Sequence, residues 1–253
     1  MKPIEINTKK KIFFISDAHL GISIEFSSLE REKRLVKLLD TIKDEAEQIF
    51  LLGDIFDFWF EYKSVVSRGF VRILGKLAEI SDAGITINFF TGNHDMWTFS
   101  YLQKEIGMNI FRKPQQFIIN NKKYLIGHGD GLGPGNRRYK LLKRFFASKF
   151  CQWIFARLHP NFAFYLAKAS SNTSRYAHQK TDLIFKGDKE LLVKYAKKIE
   201  TREHFDYYIF GHRHIPIEIK LNDNSKYFNI GDWISYFSYL EIDDINVLLK
   251  KFK

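Results

Sequence analysis

The chain has 253 residues, with 40 Lys and Arg against 29 Asp and Glu, and so a formal net charge of +11. That length fits one large domain or a core with a modest insertion, and 45% hydrophobic with 27% charged residues is the balance of an ordinary soluble globular protein. No apolar run reaches the roughly 18 residues that span a bilayer, which excludes a transmembrane helix, and the single cysteine excludes an intrachain disulfide.

In chain order the first element is Ile12–Ser16. The cationic Lys9-Lys10-Lys11 before it mimics the start of an export signal, but the apolar run is too short and stops at Ser16-Asp17, so it reads as a buried strand. Without an export signal the expected compartment is reducing cytosol, with Cys151 an inert packing thiol among apolar neighbours. Ser27 and Glu30 form a capping-box pair, and Leu35, Leu38, Leu39, Ile42 and Ala46 follow at helical spacing. Ile49–Leu52 predicts a second strand ending at Gly53-Asp54. Phe70, Ile73, Leu74, Leu77 and Ala78 predict a second helix stopped by Gly84, and Ile85–Thr91 a third strand ending at Gly92-Asn93-His94-Asp95. This alternation predicts an α/β core with parallel pairing.

Further on, Gln116–Asn120 and Lys123–Gly127 flank Asn121 as a hairpin would, and the second of them runs into His128-Gly129-Asp130. A helix is expected around Lys189–Ile199. Tyr207–Phe210 then leads into Gly211-His212-Arg213-His214, and Ile215 to Phe252 reads as closing antiparallel strands. Gly231-Asp232-Trp233 reads as a turn that could also line a site.

Five clusters share one layout, a buried strand with Asp, Asn or His at its C-terminal end: Asp17/His19, Asp54/Asp57, Asn93/His94/Asp95, His128 and His212/His214. Strand ends of this kind converge on the ligand crevice of open α/β sheets. A lone strand-end Asp is more often a cap or turn former and a lone His more often structural, but five in one order are hard to assign to chance. Carboxylate, amide and imidazole donors suit ions such as Mn²⁺ or Mg²⁺. Asp17, His19, Asp54, Asn93, His128, His212 and His214 are too many for one tetrahedral zinc. They suit two ions about 3.5–4 Å apart that share a carboxylate, acidify a water and neutralise a phosphoryl group.

Asp17-Ala18-His19, Gly53-Asp54-Ile55-Phe56-Asp57, Gly92-Asn93-His94-Asp95, His128 and Gly211-His212-Arg213-His214 together resemble the signature set of the calcineurin-like metallophosphoesterases. The resemblance covers Asp17 to His214. It implies an α/β (α+β) fold, an αββα two-sheet sandwich with the dimetal site at one edge. One ion would take Asp17, His19, Asp54 and His214, and the other Asp54, Asn93, His128 and His212, most simply two Mn²⁺. His94 would stand by the leaving group as acid or charge stabiliser, oriented by Asp57 or Asp95, although both carboxylates could equally be loop caps.

From Leu132 to Thr181 the chain carries ten Lys and Arg and no acid, together with ten aromatics, which leaves 30 cations against 29 anions elsewhere. A solvated helix pair would not need the aromatics. A nucleic-acid groove would use cations for phosphates and rings for bases. An interfacial helix pair on anionic lipid, or a lid housing acyl chains, fits better. Leu141, Leu142, Phe145, Phe146, Phe150, Ile154 and Leu158 recur at helical spacing, while Lys140, Lys143, Arg144, Lys149 and Arg157 fall mostly elsewhere around the turn.

A helical insert between the His128 and His212 loops, with Gly53-Asp54-Ile55-Phe56-Asp57-Phe58-Trp59, resembles within that superfamily the UDP-2,3-diacylglucosamine diphosphatases of lipid A biosynthesis. The resemblance implies a single domain over 1–253 with a basic, aromatic lid inserted at 132–185. It implies hydrolysis of a lipid-linked UDP-sugar at its pyrophosphate, giving UMP and 2,3-diacylglucosamine 1-phosphate, at the cytoplasmic face of the inner membrane and without a nucleic-acid partner. Substrate contacts would come from Asn93, His94 and His212 and, on the lid, Asn136, Arg137, Arg138, Ser174, Arg175, His178 and Lys180. Only Ser174 of the lid's Ser-x-x-x-Asn-x-x-Lys pattern is kept, since His178 and Thr181 stand at the other two places. His94 replaces the Arg that follows the metal-binding Asn in well-known members. The alternative is a metallophosphodiesterase acting on another lipid diphosphate or a nucleotide.

Overall fold

A computed structural model describes residues 2–167, 169 and 184–253. Strands β1 (Ile4–Ile6), β2 (Lys11–Ile15), β3 (Ala46–Leu51), β4 (Thr86–Phe90) and β5 (Asn109–Phe111) alternate with helices α1 (Ser28–Ile42), α2 (Val71–Asp82) and α3 (Tyr101–Ile106). The hairpin β6 (Gln115–Ile119) and β7 (Lys122–Gly127) follows, then α4 (Arg137–Phe146), α5 (Lys149–Phe155) and a helix α6 over residues 160–167. A 3-10 turn at Gly187–Lys189 precedes α7 (Leu191–Glu200). Strands β8 (Tyr207–Phe210), β9 (Pro216–Lys220), β10 (Lys226–Ile230), β11 (Ser238–Ile242) and β12 (Val247–Lys251) close the chain. Among the described residues, no helix is long and apolar enough to cross a membrane.

Two six-stranded sheets result, ordered β1-β6-β7-β8-β10-β9 and β12-β11-β2-β3-β4-β5. The pairs β2/β3, β3/β4 and β4/β5 are parallel, as the strand–helix alternation predicts. The tail is antiparallel at β9/β10 and β11/β12, but β10 also pairs parallel with β8, and β11 crosses to the other sheet beside β2. Side-chain alternation sorts each strand between two cores. Phe14, Phe50, Phe90, Ile126, Ile209 and Phe228 face the space between the sheets. Phe13, Ile15, Ile49, Leu51, Ile87 and Phe89 pack on the outer layer with Leu35, Leu39 and Leu77 of the helices. Leu125, Tyr208, Phe210 and Tyr227 pack on Leu192, Val193 and Ala196 of α7. The layers are therefore α, β, β, α.

The capping box at Ser27 is formed on both sides, with Glu30 N–H donating to Ser27 Oγ at 3.2 Å and Ser27 N–H to Glu30 Oε2 at 2.8 Å. Helix α2 has no side-chain cap of its own, because Phe70 precedes it with φ +61°. Instead Glu32 of α1 accepts the N–H groups of Arg72 and Ile73 at 3.0 and 3.1 Å, satisfying first-turn donors that no local residue reaches. Asn120 and Asn121 both take positive φ in the β6–β7 turn, as a type I′ hairpin requires. The apolar stripe over 141–158 is broken: α4 ends at Phe146, and Ser148 starts α5 by accepting the Cys151 N–H at 3.2 Å. Leu132, the first residue of the expected insert, still packs with the α7 core, so the chain leaves the sandwich only after it.

The insert rests on the sandwich through aromatic rings. Phe155 lies 4.6 Å from Trp97, 4.8 Å from Phe60 and 5.7 Å from Phe58, and Phe164 lies 5.2 Å from Phe58 (ring centroids). The Trp97 indole N–H donates to Phe146 O at 2.9 Å. Much of the remaining apolar surface faces solvent, with Leu141 69%, Phe150 65% and Trp153 56% exposed. A monomeric soluble surface rarely gathers such side chains without using them.

Candidate active site

The strand-end loops carry left-handed backbone where an ordinary L-residue is strained. Asp17 (φ +54°), His19 (+43°), Asp54 (+52°), His212 (+70°) and His214 (+55°) make up five of the ten non-glycine residues with positive φ among those described. Glycines let the loops meet. A Cβ on Gly53 would lie 2.6 Å from Gly92 N, one on Gly92 would lie 2.6 Å from Asp54 N, and one on Gly211 would lie 2.6 Å from Asp17 Oδ2. The Gly-Asp pair at 53–54 and the Gly-Asn pair at 92–93 thus reflect close packing of backbone on backbone, while Gly211 before His212 leaves room for the Asp17 carboxylate.

The side chains converge. Asp17, His19 and His214 form one group, His19, Asp54 and His94 a second, and Asp54, His128 and His212 a third, each with ligand-type atoms within 4.8 Å of one another. Asp54 stands between two imidazoles, its Oδ2 being 3.7 Å from His19 Nε2 and 3.3 Å from His128 Nε2, while Oδ1 accepts the His94 N–H at 2.9 Å. Asp17 Oδ1 is 3.4 Å from His214 Nε2, and its Oδ2 accepts the His212 N–H at 2.8 Å.

Each of four imidazoles is held by its Nδ1. His128 Nδ1 donates to Leu52 O at 2.6 Å and His94 Nδ1 to Asp57 O at 2.8 Å. A carbonyl oxygen only accepts, so both rings carry their proton on Nδ1 and leave Nε2 for another partner. His19 Nδ1 lies 3.3 Å from Asp57 Oδ1, and His214 Nδ1 lies 3.4 Å from Asp232 Oδ2. Asp17 Oδ1, His19 Nε2, Asn93 Oδ1 and His128 Nε2 are buried with no hydrogen-bond partner among the described residues. Leaving one such group unmet costs about 1–3 kcal/mol. Three of these, on Asp17, His19 and His128, belong to the groups that share the crevice, and Asn93 immediately precedes His94 of the same groups. Lone-pair donors so placed fit divalent ions, and the outward Nδ1 bonds are those that metal-binding histidines make.

The electrostatics of the metal-free protein follow from this crowding. Burial raises the Asp17 carboxyl, but the His214 charge and the His19 contact outweigh it and hold it at about 2. Burial likewise opposes ionisation of Asp54, and His128 and His94 win, keeping it well below the usual carboxylate range. Burial would lower His128, yet the facing Asp54 pushes it up to about 10. Burial lowers His94 to about 4, only partly opposed by Asp54, and lowers His212 to about 4 with help from the His128 charge.

Among the predicted catalytic residues, Asp57 contacts His19 and also stands 3.6 Å from His94 Nδ1 through Oδ1. Asp95 sits behind the loops, where its carboxylate accepts the N–H groups of Gly92 at 2.7 Å and Ile55 at 2.9 Å. Burial and the Asp54 charge raise it to about 7. It ties two motif loops together, the cap-like alternative weighed for it. On the insert, Asn136 (φ +48°), Arg137 and Arg138 lie exposed where α4 begins. Ser174, Arg175, His178, Lys180 and Thr181 lie outside the described residues.

The sequence did not single out several residues that hold the site. Arg31 of α1, 1% exposed, donates to His19 O at 2.9 Å, Ile22 O at 2.6 Å and Phe26 O at 2.7 Å, clamping the first loop. Glu190 pairs with Arg213 at 2.9 and 3.0 Å and fixes the loop that carries His212 and His214. Asp232, by contrast, lies in the turn that the sequence already marked as able to line a site, and it does both: Oδ1 accepts the N–H groups of Ile234, Ser235 and Tyr236 while Oδ2 faces His214.

Comparison with known proteins fits this geometry. The chain is 37% identical over 255 residues to a UDP-2,3-diacylglucosamine hydrolase of Porphyromonas gingivalis, covering 96% of this chain and 97% of the relative. It is 27% identical over 241 residues to the protein of the same name from Histophilus somni, covering 92% and 96%. Among solved structures, the Escherichia coli phosphoesterase YfcE is similar with a TM-score of 0.45 at 17% identity, covering 94% of this chain and 90% of that one. The model of the calcineurin-like phosphoesterases matches residues 10–216, most of the chain and every motif loop of the crevice, and this protein belongs to that family.

Proposed function

We propose that this protein hydrolyses the pyrophosphate bond of UDP-2,3-diacylglucosamine, releasing UMP and 2,3-diacylglucosamine 1-phosphate. The observation that carries the reading is the pairing of four buried, unpartnered ligand atoms with a cationic, aromatic insert beside them. The names of the full-length relatives support it. Asp17, His19, Asp54 and His214 would hold one divalent ion and Asp54, Asn93, His128 and His212 the other, with Asp54 shared between the overlapping groups. Mn²⁺ is our assignment from the mixed carboxylate, amide and imidazole donors. When bound, the ions supply Lewis acidity and a more acidic water.

The chain's own groups do the rest. His94 has its Nδ1 committed to Asp57 O, so it gains a proton only at Nε2. The pyrophosphate's negative charge favours that protonated form, which can stabilise or protonate the leaving phosphate. Asp57 and Asp232 orient the imidazoles of His19 and His214. Asn136, Arg137 and Arg138, with Ser174, Arg175, His178 and Lys180, are our candidates for phosphate and sugar contacts on the insert. Segment 132–185 acts as a lid on a single domain spanning 1–253. Its acyl-chain groove would run along the Phe58, Phe155 and Phe164 rings, at about 0.8 kcal/mol per buried CH₂. Exposed Leu141, Phe150 and Trp153 beside the cations of α4 and α5 would rest on the anionic cytoplasmic face of the inner membrane.

The deciding experiment is UMP release from UDP-2,3-diacylglucosamine with Mn²⁺ and the intact protein. Turnover that disappears in folded His19→Ala and Asp54→Asn supports the proposal. Hydrolysis of a soluble phosphodiester with none of the acylated UDP-sugar would instead favour the alternative substrate class.

A further inference from the structure

Between α4 and the loops that follow β4, β5 and β7 lies a pocket of about 300 Å³, at the small end of the range for ligand sites. Arg112, Lys113, Lys140, Lys143 and Arg144 line it, and His128 forms the wall it shares with the metal-ligand crevice. One carboxylate, Asp130, stands against these five cations. It is already engaged, 2.6 Å from Lys143 Nζ and 3.2 Å from the Tyr139 hydroxyl. Lys140 donates to Gly133 O and Arg112 donates to Thr98 O at 2.6 Å. Lys113 and Arg144 have no carboxylate partner among the described residues. Pro114 and Ala147 add an apolar wall between the charges.

The pocket meets the crevice at His128, and the end of α4 that lines it also reaches the aromatic cluster, where Trp97 donates to Phe146 O. His94 groups with His19 and Asp54, and His128 with Asp54 and His212, so Asp54 is common to both groups. A pyrophosphate lying over Asp54 would extend one end past His128 toward the cations. An acyl chain would leave those cations unmatched, and a bare phosphate would leave the apolar wall unused. A nucleoside monophosphate has both an anionic end and a flat base whose π face can lie on an apolar wall.

We propose that this pocket binds the nucleoside monophosphate half of the substrate. The proposal rests on the pyrophosphate reading above and adds the place of the nucleotide. Its test is calorimetric titration of the full-length, Mn²⁺-loaded protein with UMP, a measurement that needs no turnover. The double variant Lys113→Ala/Arg144→Ala should weaken UMP binding about tenfold, the scale of one charge-assisted hydrogen bond, while glucosamine 1-phosphate binds as before. Arg144→Glu serves as the second variant should the double one fold poorly. An unchanged Kd for UMP in a variant of wild-type melting temperature overturns the proposal. Equal loss of inorganic phosphate and UMP binding, at equal starting affinity, overturns the nucleoside part of it. Loss of UMP binding in the variant of a protein that cleaves no acylated UDP-sugar would keep the pocket and sink the lipid substrate instead.

Discussion

His128 concentrates the electrostatics of the centre in one ring. Its Nδ1 proton is fixed by Leu52 O, and Asp54 raises the imidazole to about 10 in the metal-free protein. At pH 8 the ring is therefore cationic, and an ion arriving at Nε2 must displace a proton. Titrating metal-free protein with Mn²⁺ in buffers of different ionisation enthalpy should show proton release at pH 8 and tighter binding as pH rises. Absence of net release there would contradict the assignment of His128 as a ligand. The sign for stability follows from the same shift. The His128–Asp54 pair stabilises the metal-free fold fully below about 6.5, the ring's ordinary value, and that contribution is lost as pH climbs through about 10. Asp232 allows a separate test, since its Oδ2 faces His214 while Oδ1 holds a turn. Asp232→Asn should lower metal affinity about 10- to 100-fold, as loss of a partner behind a histidine ligand does; affinity equal to wild type would remove Asp232 from the centre.

At the scale of elements, the site depends on loops pinned by residues from neighbouring helices. Arg31 reaches from α1 to the carbonyls of His19, Ile22 and Phe26. Arg31→Met keeps the bulk but strands those acceptors, so it should destabilise the protein by on the order of 3 kcal/mol. The loss of Mn²⁺ affinity should exceed that of a core substitution of equal cost, and denaturant melts with parallel metal titrations separate the two. In the insert, Phe155 is the ring that joins α5 to Phe58, Phe60 and Trp97. Phe155→Ala should depress hydrolysis of the acylated substrate at least tenfold more than hydrolysis of a small chromogenic phosphodiester, because only the former needs the insert seated. Equal losses on both would show that α5 supports the core rather than the lipid.

For the molecule as a whole, the cations in excess lie in the segment that also exposes Leu141, Phe150 and Trp153. Co-sedimentation with anionic vesicles should fall as salt rises and should fall further in Leu141→Glu/Phe150→Glu; vesicle binding unaffected by both would remove the membrane role. The sequence alone determined the strand–helix alternation, the capping box at Ser27 and the order of the strand-end clusters, because periodicity, cap chemistry and motif spacing are local. It left open what depends on distant contacts: that β10 pairs with β8 and β11 crosses to β2, that Glu32 caps α2 from another helix, and that Asp95 clips loops while Asp57 faces two histidines. Only tertiary structure decided these, because pairing across a sandwich and the direction of a buried carboxylate are set by what packs opposite them, and those partners lie from 19 to 230 residues away in the chain.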